Sequence, residues 1–202
     1  MPTLIVIGGP NGSGKTTLSS YLVKKGRIKS SIINPDEIAY RELGSYSNHV
    51  QAARIALTRR REAIKQHADF AFETTLSGNS EIREVLEAKQ MGYIVILYYV
   101  ALQSVLDNII RVEERHNILG HDVDSEDIIR RLKKSQDNLY KYLSLFDKVY
   151  LFDNSGSNRS RVAIYNSDAL SWVNAKHVNH PFYKKLLSYP SNTSTSATGL
   201  NK

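Results

Sequence analysis

The chain of 202 residues contains no cysteine. Disulfides and thiolate metal sites are therefore excluded, and a reducing compartment is the simpler reading. It has a single tryptophan and five prolines. No apolar run approaches a membrane span. The first residues lack the charged segment of a secretory leader, and their apolar run is too short for one. A cytoplasmic location without membrane association is the expectation. The six histidines show no metal-binding spacing, no internal repeat is present, and the guanine-reading Asn-Lys-x-Asp is missing, which disfavours a GTPase.

What the sequence does carry is charge and one loop. Net charge is +7, which suits an anionic substrate or partner. Much of the excess is C-terminal: Arg159, Arg161, Lys176, Lys184, Lys185 and Lys202 stand against the lone acid Asp168. These residues form either a solvated face or a partner-binding patch. Nucleic acid binding is not the favoured reading.

Residues 9–16 read Gly-Pro-Asn-Gly-Ser-Gly-Lys-Thr, a full G-x-x-x-x-G-K-[ST] phosphate loop. A chance match in a chain this long is roughly a one-in-a-hundred event. The apolar run Leu4–Ile7 before it suits a buried parallel strand, and Thr16–Lys25 after it reads as a helix. Gly9, Pro10, Asn11, Gly12, Ser13, Gly14, Lys15, Thr16 and Thr17 are thus candidate ATP contacts. Lys15 would reach the β- and γ-phosphates, and the Thr16 hydroxyl would ligate Mg²⁺.

Strands and helices alternate thereafter. Strands are predicted at Ser31–Ile33, Phe70–Glu73, Tyr93–Ala101 and Lys148–Phe152, with Arg161–Tyr165 as one more candidate. Helices are predicted at Ser47–His67, Ser80–Met91, Leu102–Asn117 and Ser125–Leu143. Val50, Ala53, Leu57 and Ile64 share helical spacing in the first of these, and Arg59-Arg60-Arg61 within it reads as a solvated face. This alternation predicts an α/β fold with a mostly parallel sheet covered on both faces. The prediction is a P-loop three-layer sandwich of five strands in the order 2-3-1-4-5, with one domain over residues 1–187. The Ser/Thr/Asn-rich tail 188–202 is expected to be disordered.

Asn34-Pro35-Asp36 follows the second strand at the sheet end where ligands gather. Asp36 suits either a base that accepts the proton of an attacking hydroxyl or the cap of a helix starting at Glu37. Glu73 ends the third strand before Thr74 and Thr75, suiting substrate recognition, an indirect Mg²⁺ contact, or satisfaction of the strand end. Leu76-Ser77-Gly78-Asn79 faintly echoes a transporter-ATPase signature, but Ser77 or Asn79 as a helix cap is the better reading. Arg111 and Arg115 share a helix face, and Arg130 and Arg131 follow beyond the loop Leu119–Asp124. The pair of helices reads as a lid over about residues 111–134, bringing guanidinium groups to the transferred phosphate, or as a charged amphipathic hairpin.

Together these segments resemble the zeta-toxin-like group of P-loop kinases, whose best-known members phosphorylate UDP-N-acetylglucosamine. The resemblance runs over roughly residues 3–155, ending at Tyr150–Ser155. It implies an ATP- and Mg²⁺-dependent kinase of a small hydroxylated molecule, with Asp36 as base. It further implies Glu73 and Thr74 on the substrate, Arg111, Arg115 and Arg130 or Arg131 on substrate and phosphate, Asn154 near adenine, and a possible protein antitoxin. Where the group's lid reads Gly-Gly-His-Asp-Val-Pro, this chain has Leu119-Gly120-His121-Asp122-Val123-Asp124. A nucleoside or nucleotide kinase, and a non-catalytic ATP-binding regulatory module, are the alternatives.

Overall fold

The computed structural model describes residues 1–119 and 125–188, with the backbone alone for 115–119. The expected strands form as β1 (Thr3–Gly8), β2 (Ile32–Ile33), β3 (Phe70–Thr74), β4 (Ile94–Ala101) and β5 (Lys148–Asp153). Two more follow, β6 (Ser160–Asn166) and β7 (Ala169–Val173). The helices are α1 (Lys15–Lys24), the short α2 (Pro35–Glu37), α3 (His49–Lys65), α4 (Asn79–Gln90), α5 (Val105–Leu119), α6 (Ser125–Lys141) and α7 (Pro181–Leu187). Strand order is β2-β3-β1-β4-β5-β6-β7. The first five are parallel and the last two join antiparallel.

The order dictates how the faces are covered. The chain runs from β1 outward to β2 in one direction, then returns through β3, β4 and β5 in the other. Right-handed crossovers then put α1 on one face and the later crossover helices on the opposite face. The alternation of β1 follows suit. Leu4 and Val6 pack with Phe72, Leu97 and Tyr99 beneath α3, α4, α6 and α7. Ile5 and Ile7 pack with Ala71, Tyr98 and Val100 beneath Leu18 and Leu22 of α1. Each such buried side chain contributes about 1.5–3 kcal/mol.

The expected order 2-3-1-4-5 holds, but the sheet has seven strands. Ala-Leu-Ser-Trp-Val is a short exposed strand without strict alternation of apolar and polar residues. A tight hairpin with Ser167 at φ 54° returns the chain to it. The α3 periodicity also needs correction. Its buried face is Ala52, Ala56, Arg60 and Ile64. Val50 and Ala53 are exposed, and only Ile64 of the expected stripe is in the core. At the start of α4 neither Ser77 nor Asn79 is the cap; Gly78 occupies that position, and the Ser77 hydroxyl pairs instead with Thr75 at 2.8 Å.

Candidate active site

The phosphate loop joins β1 to α1 at the carboxyl end of the central strands. Gly12 sits at φ 76°, and a Cβ there would lie 2.5 Å from the Asn108 carbonyl oxygen of α5, so no other residue fits without moving the helix. Gly14 is the N-cap of α1 and no side chain caps its first turn, an arrangement that suits an anion at the helix start. The loop is held from outside. Asn108 is fully buried and donates to the Asn11 carbonyl at 2.6 Å. Asn154, just after β5, donates to the Ser13 carbonyl at 2.9 Å. Lys15 donates to the Pro10 carbonyl at 3.0 Å.

Glu73 lies beside this loop because β3 pairs with β1 in the register Ile7↔Glu73. Its buried carboxylate accepts from the Thr16 hydroxyl at 3.0 Å and from the Ser19 hydroxyl at 2.6 Å. A hydroxyl and a carboxylate side by side are hard oxygen donors of the kind Mg²⁺ takes beside phosphate and water. Among the described residues no cluster of three His, Cys, Asp or Glu competes for a metal. Thr74 also lines the cleft, its hydroxyl accepting from Leu76 N at 2.9 Å and donating to Glu81 at 3.4 Å.

Asp36 lines the same cleft as the phosphate loop. The cap of α2 is Asn34, whose side chain accepts from Asp36 N at 2.9 Å, with Pro35 at the first helical position where its missing N–H is harmless. Asp36 is thereby released from capping duty. It is exposed and lines the cleft. The cleft encloses about 830 Å³ between the phosphate loop and α3. Val50, Ala53 and Leu57 give it an apolar wall, and His49 and Arg54 stand at the same helix.

Residues 1–169 match the family model described as zeta toxin. The chain belongs to the zeta toxin family. An uncharacterized protein of Haemophilus influenzae is 37% identical over 124 residues, which is 60% of this chain and 86% of that one. A solved structure from the PezAT chromosomal toxin–antitoxin system of Streptococcus pneumoniae matches with a TM-score of 0.57 and 21% identity, over 93% of this chain and 86% of that one. A structure of AvrRxo1-ORF1:-ORF2 with ATP matches with a TM-score of 0.66 and 18% identity, over 98% of this chain but only 66% of that longer one. At these identities the structural likenesses show a shared α/β fold.

Within this zeta toxin fold the arginines separate. Arg111 lines the cleft and donates to the Asn154 carbonyl at 3.0 Å. Arg131 also lines it. Arg130 is not among the cleft-lining residues; both arginines share the Asp127 carboxylate, Arg130 at 2.7 Å and Arg131 at 3.4 Å. The Arg115 side chain and residues 120–124 of the expected lid lie outside the described residues, as does the tail from 189. Asn154, expected near adenine, grips the phosphate loop itself.

Two site residues escaped the sequence reading. Asn108 carries no motif. Arg60 was grouped with a solvated basic run, and that holds for Arg59, which pairs with Glu42. Arg60 instead is buried in an ion pair with Glu84, both lining the cleft, its guanidinium 4.9 Å from the Phe72 ring centre. Burial pushes the Glu84 carboxyl up from its usual range, and Arg60 opposes the shift. The spacing Ala52, Ala56, Arg60, Ile64 was the available signal, since every fourth residue shares a face.

Proposed function

We propose that this chain is an ATP- and Mg²⁺-dependent kinase that transfers the γ-phosphoryl group to a hydroxyl of a small molecule, a nucleotide sugar being the finer expectation. The observation that carries the reading is Asp36, an exposed carboxylate freed from capping that lines the same cleft as the phosphate loop. Membership of the zeta toxin family supports it.

Positioning and electrostatics do most of the work in phosphoryl transfer. The loop amides, Lys15 and the start of α1 would hold the triphosphate. Thr16, with Glu73 behind it, would hold Mg²⁺. When bound, that ion would supply positive charge against the phosphate oxygens. Asp36 would orient the acceptor hydroxyl and take its proton as the oxygen bonds to the γ-phosphorus. The bond from that phosphorus to the β-phosphate oxygen breaks, and ADP leaves. Arg111 and Arg131 would face the transferred group from α5 and α6. The apolar wall of α3 would pack the non-reacting part of the acceptor. A partner antitoxin would act by blocking this cleft or its closure.

The test incubates the protein with γ-labelled ATP and a cell metabolite extract and identifies the labelled product. Label should appear on a small molecule and be lost with Asp36→Asn. Slow release of phosphate without any labelled acceptor would instead favour a regulatory ATP-binding module.

A further inference from the structure

The crossover rule leaves half of one sheet face without a helix. The α1 face is covered at β1, β3 and part of β4. Beyond that, toward β7, side chains alone meet solvent. Tyr98, itself buried, stacks there on the half-buried Tyr150, ring centres 4.7 Å apart and 9° from parallel. The Arg161 guanidinium lies between Tyr150 and Trp172, 5.9 and 5.7 Å from their ring centres. Arg159 lies likewise between Tyr21 of α1 and Phe152, at 4.9 and 5.7 Å. Trp172 and Tyr21 remain 43% and 46% exposed.

Among the described residues the strands give this face no negative charge, and the nearest acid in sequence, Asp168, lies in the β6–β7 turn. Strands β4, β6 and β7 contain no acidic residue, and Asp153 of β5 is turned to the other side, toward His177. Among the described residues no carboxylate lies within ion-pair reach of Arg159, Arg161 or Lys148. The chain's own tail beyond 188 contains no Asp or Glu to cover it. Among the described residues no strand pairs with the outer side of β7. β7 ends the sheet, and Ala-Leu-Ser-Trp-Val has neither the charge nor the proline that natural proteins use to blunt such an edge. Trp, Tyr and Arg are the residues that dominate protein interfaces.

We infer that the open face of β4–β7, with its free edge at β7, docks an acidic segment of a partner protein. Guanidinium groups beside aromatic rings still present N–H donors that match carboxylates, while the β7 backbone accepts an added strand. A stacked nucleic acid strand fits less well. Base stacking needs open ring faces, and these rings are engaged with one another and with the arginines. The inference is independent of the kinase reading, since none of these residues lines the cleft.

The full chain is titrated, by fluorescence anisotropy, with a labelled peptide alternating glutamate and valine. The same peptide with prolines replacing some of its valines and a labelled single-stranded RNA serve as comparisons. The alternating peptide should bind saturably and less tightly as salt rises. Arg161→Ala, Trp172→Ala and the proline interruption should each weaken it about tenfold or more. Arg161→Glu should abolish it. Circular dichroism melts check that the variants fold, and Arg161 is exposed enough that they should. Absence of saturable binding, or equal binding by the variants, overturns the proposal. So does tighter, Arg161-dependent binding of the RNA, or a dimer in sedimentation that Trp172→Ala dissolves, which would make a second copy the occupant.

Discussion

Asp36 and Glu73 are both carboxylates at strand ends, yet their surroundings assign them different work. Asp36 is exposed in the cleft and would act on a proton. Asp36→Asn should preserve ATP affinity by calorimetry while lowering phosphoryl transfer by about 10²–10⁴-fold. Glu73 is buried against Thr16 and Ser19. Glu73→Gln should therefore raise the Mg²⁺ concentration needed for half-maximal activity, with a smaller change in metal-free nucleotide binding. The two roles could not be separated by sequence, because the register Ile7↔Glu73 and the capping by Asn34 are properties of the folded chain. Arg60 makes the same point. Arg60→Ala strands the Glu84 charge and should cost about 3–5 kcal/mol in urea denaturation. Arg60→Met with Glu84→Leu should recover most of that.

Among the elements, the phosphate loop and the parallel core were readable because each depends on local spacing: the glycines and Lys15 in one case, unbroken apolar runs in the other. The face of α3 was not. Its sequence offers two apolar stripes, Val50-Ala53-Leu57 and Ala52-Ala56-Ile64, and only packing against the sheet decides which is buried. The structure assigns the small-residue stripe to the core and the larger one to the cleft. Ala56→Leu should then destabilise by about 1–3 kcal/mol through overpacking, whereas Ala53→Leu should stay within about 0.5 kcal/mol. Thermal melts of the two variants separate the registers. The hairpin β6–β7 was half visible: Arg161–Tyr165 has strand character, but β7 lies too exposed to leave a pattern.

At the scale of the whole molecule, nucleotide binding should stabilise the fold, because the loop is gripped by α5 through Asn108 and by the β5–β6 connection through Asn154. A non-hydrolysable ATP analogue with Mg²⁺ at a hundredfold excess over its Kd should add about 2.7 kcal/mol. Lys15→Ala should remove most of this gain, as read by melting temperature. Among the described residues no helix is long and apolar enough to cross a membrane. The strand order carries a last consequence, for synthesis. β1 precedes both of its neighbours in the chain, yet it lies between them, pairing Leu4 with Phe70 and Thr3 with Ile94. During translation its apolar residues must wait for β3 and then β4 to emerge, so nascent chains halted before β4 (Ile94–Ala101) has left the ribosome should be the ones that chaperones hold and that aggregate.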